Sequence, residues 1–296
     1  MQPDNRTHLA CDIGSNAMRI LLGRAVCEGE RIRVQKQSLL RLPIRLGDDV
    51  FGNGLISQPK IERLVEVCDL VHSLARVYSA ASVQLCATSA VRESANVAEV
   101  KDAIEKRGNL KLEVIDGDEE ASLVQLVVQH LHLEGLEDQL FIDLGGGSIE
   151  LVHFVGDALQ TRHSFKVGTV RTMLQKVPAG EWQRLDDWLM QEHCNKPELV
   201  LVGTGGTINT MWKIAAGTKK MLPLADIDAF IAEAENLSVL ERQMRWDMRE
   251  DKADVIVHGC RIYSRIMHLL GVPGIVVPKV GLADALVLRK ALEQTG

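Results

Sequence analysis

The sequence predicts an α/β protein built from two domains. Segments with strand-like and helix-like apolar spacing alternate along its 296 residues, a pattern typical of α/β architecture. The length is that of two average domains. One strand-turn-strand unit also occurs twice, which suggests two similar halves. With 46% hydrophobic and 25% charged residues, disorder is excluded as the dominant state.

The first half opens with two predicted strands, 8–13 and 17–27, joined by Gly14-Ser15-Asn16. Gly and Asn tolerate the positive φ that such a turn often needs. Apolar residues at helical spacing predict a helix over 59–78. The remaining predicted features are a strand at 31–37, mixed loop signals over 38–58, a strand at 83–88 followed by a loop, a helix opened by a capping-box-like Asn96 and Glu99, a strand at 111–115 and a helix over 118–133.

The second half repeats the strand-turn-strand pattern over 140–155, around Gly145-Gly146-Gly147. We expect the domains to comprise 1–118 with 283–296, and 119–282. The other predicted elements are a strand at 158–165, helices at 169–176 and 181–194, a strand at 198–202 leading into a glycine-rich loop and a helix, a short strand at 274–277 and a closing helix at 281–292.

Composition excludes several functional classes. The net charge of −6 and the pI of about 5.9 disfavour a general nucleic-acid binder. The six cysteines are dispersed without a CxxC pair, which excludes a zinc site of paired cysteines and predicts reduced thiols in a cytoplasmic protein. The N-terminus lacks the apolar core of a signal peptide, and no apolar run approaches ~20 residues, so we expect no membrane partner.

The repeated unit is an acidic, glycine-rich turn. Residues 10–21 align without a gap with residues 141–152, which places Asp12 against Asp143. Small residues expose backbone N–H groups in a concave turn, and such turns bind anions. The aspartate that ends each first strand could hold a divalent cation that bridges to phosphate oxygens. The pattern therefore predicts two phosphate-binding turns, in halves that face each other.

A third glycine-rich segment, Gly203-Thr204-Gly205-Gly206-Thr207, precedes a predicted helix, whose N-terminus would add unpaired donors and partial positive charge. The chain has no GxxxxGK[ST], GxGxxG, GxSxG or HExxH motif. P-loop NTPases and dinucleotide-binding folds are thereby disfavoured, and two hydrolase classes lose their main signatures.

Five motifs follow one another along nearly the whole chain: Asp12-Ile13-Gly14-Ser15-Asn16 with Arg19, Ala87-Thr88-Ser89-Ala90-Val91-Arg92, Gly117-Asp118-Glu119-Glu120-Ala121, Asp143-Leu144-Gly145-Gly146-Gly147-Ser148-Ile149-Glu150, and Gly203-Thr204-Gly205-Gly206-Thr207. In this order they resemble the Ppx/GppA phosphatase family of exopolyphosphatases and guanosine pentaphosphate phosphohydrolases. The resemblance implies a two-domain, actin-like ATPase fold, a duplicated ribonuclease H-like arrangement with the active site in the interdomain cleft. Longer members carry a further C-terminal helical region, which we do not expect within these 296 residues.

The resemblance also implies roles for individual residues. Glu150 matches the family's catalytic glutamate, and a glutamate there could act as a general base toward water; the competing interpretation is an ordinary strand position. Glu120 matches a residue assigned to metal or water positioning, although a glutamate in a first helical turn is favoured by the helix dipole alone. Asp143 is the main metal candidate beside Glu120, with Mg²⁺ as the expected ion. The expected phosphate-binding residues are Gly14, Ser15, Asn16, Arg19, Ser89, Arg92, Gly145, Gly146, Gly147, Ser148, Gly205 and Gly206.

Two positions depart from the family pattern. Ile149 stands where members often have Thr, and Ser122 where they often have Arg. If the second strand starts by Ser148, side chains alternate so that Ile149 faces away from Glu150. Its identity would then be explained by burial.

We therefore expect a phosphohydrolase that releases the terminal phosphate of inorganic polyphosphate or guanosine pentaphosphate by in-line attack of water. A homodimer is one assembly that the sequence leaves possible. Two alternatives remain at this point: an ATP-dependent kinase of the same fold, and a non-catalytic binder of guanosine alarmones. Neither nucleic acid nor a membrane is expected as a partner.

Overall fold

The computed structural model describes residues 4–28, 31–131, 137–156, 158–193, 198–216 and 221–293. The chain forms two compact units, one of Met1–Leu133 with Val280–Gly296, the other of Glu134–Lys279. The strands are β1 (His8–Ile13), β2 (Met18–Glu28), β3 (Arg31–Leu42), β4 (Ser82–Ala87), β5 (Leu112–Val114), β6 (Asp138–Leu144), β7 (Ile149–Val155), β8 (Ala158–Phe165), β9 (Leu199–Gly205), β10 (Leu222–Pro223) and β11 (Gly274–Val276).

The helices alternate with the strands along the chain. They are α1 (Leu46–Asn53), α2 (Gln58–Val77), α3 (Ser89–Glu93), α4 (Val97–Asp102), α5 (Gly117–Leu131), α6 (Thr169–Met173), α7 (Glu181–His193), α8 (Gly206–Met211), α9 (Leu224–Ala234), α10 (Val239–Trp246), α11 (Glu250–Ala253), α12 (Ile256–Leu270) and α13 (Leu282–Glu293). Two of them, α4 and α8, continue as π-helical turns at Ala103–Arg107 and Trp212–Ala216.

The first unit holds a five-stranded sheet in the order β3-β2-β1-β4-β5. An antiparallel β1–β2 hairpin lies beside the parallel pair β1–β4. Ala10 and Leu21 of the hairpin pack with Leu123 and Val127 of α5 and with Leu286 of α13. This apolar contact holds the C-terminal helix in the N-terminal unit.

The second unit repeats this arrangement in a six-stranded sheet, β10-β11-β9-β6-β7-β8. Its antiparallel β6–β7 hairpin lies beside the parallel pair β6–β9. Leu140, Ile142 and Leu144 of β6 point into one apolar core that α7 and α12 help to form. The predicted α/β class and the duplicated strand-turn-strand unit are thus both present.

Most predicted elements are observed, and the differences have local causes. The segment 38–58 is not a loop throughout, because β3 runs to Leu42 and α1 follows. Glycines at 47, 52 and 54 favour a loop, yet Gly47 lies in α1. A Cβ at this position would be 2.9 Å from the Phe51 ring and 3.1 Å from Ser15, so close packing explains the glycine. The predicted loop after β4 contains the short α3.

The Asn96 side chain does not cap α4 as predicted. Its Oδ1 accepts the Ile56 N–H and its Nδ2 donates to the Ile56 carbonyl, each at 2.9 Å. The same Nδ2 also donates to Glu99 at 3.0 Å. The first compact unit includes α5, which packs against α13. The expected domain bounds, 1–118 with 283–296 and 119–282, stay a prediction. Residues 132–133 of the predicted helix, and Cys194, lie outside the described residues.

Within the described ranges, no helix is long and apolar enough to cross a membrane.

Candidate active site

The two acidic turns have the same backbone geometry. In the first, the Gly14 N–H donates to the Ala17 carbonyl at 3.2 Å; in the second, Gly145 donates to Ser148 at 3.0 Å. The strand registers also correspond, with Asp12 opposite Arg19 and Asp143 opposite Glu150. The duplication read from the sequence is therefore a duplication of structure, and Glu150 occupies the position that Arg19 has in the first copy.

Peptide orientation gives the second turn an anion-binding character. The carbonyls of Gly145 and Gly146 accept the backbone N–H groups of Thr169 and Val170, at 3.0 and 2.9 Å. The Gly147 carbonyl accepts the Nε–H of Arg171 at 2.8 Å. Because N–H and C=O point in opposite directions across a trans peptide, the following N–H groups, up to that of Ser148, point away from α6. Such a row of outward N–H groups favours an anion.

The first turn is held in a similar way. Its Ser15 carbonyl accepts the Gly47 N–H at 2.7 Å, and its Asn16 carbonyl accepts the Arg45 N–H at 2.9 Å. The Ser15 and Ser89 hydroxyls are hydrogen-bonded at 2.9 Å, and both residues are buried. These three predicted phosphate-binding residues thus form one cluster beside Gly14.

Two glycines allow the backbone to close around the second turn. A Cβ on Gly168 would lie 2.4 Å from the Gly146 carbonyl oxygen, far inside van der Waals contact. Gly205, with φ of 101°, lies in the region that side chains avoid, and a Cβ there would meet the Leu144 carbonyl at 2.6 Å. Gly206 begins α8 directly after it. Glycine is therefore required at 168 and 205 for packing around the turn.

Glu150 is buried beside the turn, with 1% of its surface exposed. Asp143, 9% exposed, lies directly opposite it on β6. On the other side, Ser164 of β8 donates its hydroxyl to Glu150 Oε1 at 2.9 Å. Two buried carboxylates thus lie side by side on one face of the sheet, next to the outward N–H groups of the second turn, and this row is the strongest candidate for chemistry.

The Ile149 side chain does not belong to this row of polar side chains. It is fully buried in the apolar core with Leu144, Leu151 and Phe165, on the sheet face opposite Glu150. The expected burial of Ile149 is thus observed.

Tyr263 of α12 supports the end of β9 beside Asp143. The fully buried Tyr263 hydroxyl donates to the Thr204 carbonyl at 2.6 Å. Burial, aided by the negative charge of Asp143, raises the pKa of Tyr263 well above its ordinary value. The phenol is therefore a fixed neutral donor.

In the first unit, each predicted arginine contacts a carboxylate. Arg19 donates to Asp12 Oδ2 at 2.7 Å. Arg92 lies 3.8 Å from Glu120 and donates to the Ile115 carbonyl at 2.6 Å. Glu120 is buried because it lies one helical turn before Leu123 of the apolar stripe.

The predicted metal ligands, Asp143 and Glu120, belong to different units. Among the described residues, no three His, Cys, Asp or Glu side chains gather into a metal-binding cluster. The donor chemistry around Asp143 nevertheless fits Mg²⁺, which is commonly held by one or two carboxylates together with water and substrate phosphates.

Sequence reasoning missed the residues that hold the site in place. Arg171 is buried, and its guanidinium donates to the Gly147 carbonyl. Its spacing from the glycine turn carries no local signal. Ser164, Gly168 and Tyr263 are likewise recognisable only from the strand register and the helix packing.

The duplicated glycine-rich turns and the buried pair of carboxylates are features expected of a phosphoryl-transfer site. Residues 38–294 match the model of the Ppx/GppA phosphatase family, and the chain belongs to that family. It is thus a phosphatase, a hydrolase of phosphoric acid anhydrides by class.

The chain is 25% identical to "Exopolyphosphatase 1" of Mycobacterium leprae, over 94% of this chain and 88% of that protein. It is 24% identical to a "Bifunctional 3-dehydroquinate synthase/phosphatase" of Fusobacterium nucleatum, over 93% of this chain and 45% of that protein. Neither name favours the kinase or the non-catalytic alarmone binder.

Among solved structures, the Ppx/GppA family member of Aquifex aeolicus has a TM-score of 0.76 at 22% identity, covering 98% of this chain and 99% of its own. An exopolyphosphatase from Cytophaga hutchinsonii has a TM-score of 0.81 at 21% identity, covering 98% of both chains. The predicted fold class is thereby confirmed. The shared interdomain cleft and the individual site roles stay predictions.

Proposed function

We propose that this phosphatase removes the terminal phosphate of inorganic polyphosphate, and that guanosine pentaphosphate is the alternative phosphoanhydride substrate. The observation that carries the proposal is Glu150, a carboxylate buried on the same row as Asp143 and next to a turn whose N–H groups face outward. A phosphate-binding turn beside a buried carboxylate that can act as a base suits attack by water.

The proposed chemistry is direct displacement at phosphorus. The N–H groups of Gly146, Gly147 and Ser148 bind the terminal phosphate and stabilise the charge that builds on its oxygens. Water attacks the terminal phosphorus, and its proton passes to the Glu150 carboxylate. The bond to the bridging oxygen breaks, and the shortened chain leaves as the anion.

We propose Mg²⁺ as the cofactor, with Asp143 as its ligand and Glu120 as the second candidate. When bound, the ion would neutralise phosphate charge and polarise phosphoryl oxygens. The first turn, with Gly14, Ser15, Asn16, Ser89, Arg19 and Arg92, would bind further phosphates through N–H, hydroxyl and guanidinium donors. Gly205 and Gly206 would add the N-terminal donors of α8.

We also propose the cytoplasm as the compartment. Every cysteine among the described residues is a free thiol, as expected under reducing conditions.

The test is phosphate release from polyphosphate, guanosine pentaphosphate and ATP, each with Mg²⁺, Mn²⁺ and Ca²⁺. Glu150→Gln should lower turnover by ~10²–10⁴, the usual contribution of acid–base catalysis. Glu137→Gln, the same change at an exposed position of the same unit, is the matched control and should keep wild-type turnover. Wild-type turnover in Glu150→Gln would remove Glu150 from the mechanism. ADP formation that requires an acceptor would indicate a kinase, and tight alarmone binding without turnover would indicate a binder.

A further inference from the structure

We propose that Ser164 is a positioning residue that fixes the orientation of the Glu150 carboxylate. The inference rests on the proposed role of Glu150 as the base. Ser164 lies directly opposite Glu150 in the antiparallel β7–β8 pair. Its hydroxyl donates to Glu150 Oε1 at 2.9 Å.

The strand around Ser164 is held firmly. Its neighbour Phe165 lies opposite Ile149, and both side chains are buried in the core of the second unit. Phe165 also packs edge-on against Trp188 of α7, at 5.9 Å between ring centroids. The serine side chain has a single torsion before its oxygen. The position of Oγ is therefore largely set by a packed backbone.

A glutamate needs such a support more than an aspartate does. Its terminal torsion is broad and roughly two-fold, so burial alone does not fix the plane of the carboxylate. A base works only when its oxygen lies within hydrogen-bond reach of the proton it takes. A donor fixed on the adjacent strand restricts that plane before substrate binds, and a hydrogen bond to an ionised carboxylate is stronger than one between neutral groups.

The test compares two variants of nearly equal shape. Ser164→Thr keeps the hydroxyl, and Ser164→Val replaces it with a methyl group, so both carry the same added bulk. Ser164→Val should lower kcat by roughly 10- to 100-fold, the range for losing the partner of a functional carboxylate or ligand. KM should change little, because the Ser164 hydroxyl acts through the Glu150 carboxylate, to which it donates. Ser164→Thr should keep kcat within a few-fold of wild type. Gln160→Ala, at an exposed position of the same strand, should leave both constants unchanged.

A second readout separates positioning from structural support. In a Glu150→Gln background, Ser164→Val should lower the residual rate much less than it does in wild type, because its effect passes through the carboxylate. Equal fold-losses in the two backgrounds would overturn the inference, as would wild-type kcat in Ser164→Val or equal losses in the Thr and Val variants. Thermal unfolding confirms that each variant is folded at the assay temperature, and Ser164→Ala replaces the pair if the branched side chains do not fold.

The same series separates this inference from the proposed function. Wild-type turnover in Glu150→Gln would refute the function itself. Loss of turnover in Glu150→Gln, together with full turnover in Ser164→Val, would refute the positioning role alone.

Discussion

Replacing Gly168 with alanine should distort the second acidic turn, although Gly168 itself is not part of that turn. The residue precedes α6 and lies under the second acidic turn, where an added Cβ would be 2.4 Å from the Gly146 carbonyl oxygen and 2.5 Å from the Gly147 carbonyl carbon. Both contacts are with backbone, so no side chain can rotate away. The turn itself, or the segment that carries Gly168, has to move.

The size of the effect follows from these distances. An ordinary contact begins near 3.4 Å, so the two segments must separate by about 1 Å. That strain should cost about 1–3 kcal/mol of unfolding free energy, the usual range for overpacking. A displacement of about 1 Å in a positioning element can lower a rate by ~10²-fold. We therefore expect Gly168→Ala to fold less stably and to lose most of its turnover.

Urea unfolding and phosphate release from polyphosphate measure the two effects. Gly52→Ala is the control, because a Cβ on Gly52 has no neighbour within 4 Å and the residue lies in α1; alanine there should be neutral or stabilising. Wild-type stability and turnover in Gly168→Ala would refute the claim that the close backbone contact shapes the phosphate-binding turn.

Three further predictions concern stability. Ile149→Thr should lower the unfolding free energy by about 1–3 kcal/mol, because a hydroxyl enters the apolar core, and leave turnover per folded molecule unchanged; a tenfold rise in turnover would instead place a threonine hydroxyl in the site. Tyr263→Phe should cost about 1–3 kcal/mol through the bond lost to the Thr204 carbonyl, and an unchanged urea midpoint would exclude a stabilising role for that bond. The hydrogen bond from Arg289 holds the pKa of Glu113 below its ordinary 4.5, so the ion pair should add stability above that pH and lose it as the pH falls through the lowered value. Glu113→Gln should accordingly be less stable than wild type at pH 7 but equal to it under more acidic conditions, and a difference that persists in acid would contradict this assignment.

The fold could be read from the sequence to the extent that its signals are local. Strand periodicity and the glycine turns gave β1, β2, β6 and β7 within a residue or two. The helix α1 was missed because glycine is a poor helix former. Glycine at position 47 allows this segment to approach Ser15 closely. That contact joins segments far apart in sequence, so local sequence patterns do not reveal it.

The residues of the candidate site likewise fall into those that a local motif indicates and those that only the tertiary structure brings together. Glu150, Asp143 and the glycine turns stand within one motif, so the spacing and the resemblance both indicate them. Ser164 and Arg171 act on that motif from 14 and 24 residues away, and only the pairing of β7 with β8 and the approach of α6 bring them to it. Supporting residues of this kind are fixed by tertiary structure, where a single sequence carries no signal.

The most direct test of the account is the position of the label after hydrolysis of polyphosphate in ¹⁸O-water. We expect the wild-type enzyme to place a single ¹⁸O atom in each released phosphate and none in the shortened chain, because water attacks the terminal phosphorus. In Glu150→Gln the label should follow the same route at a rate lower by ~10²–10⁴. Label found in the shortened chain, or phosphate released without label, would contradict terminal attack by water at this site.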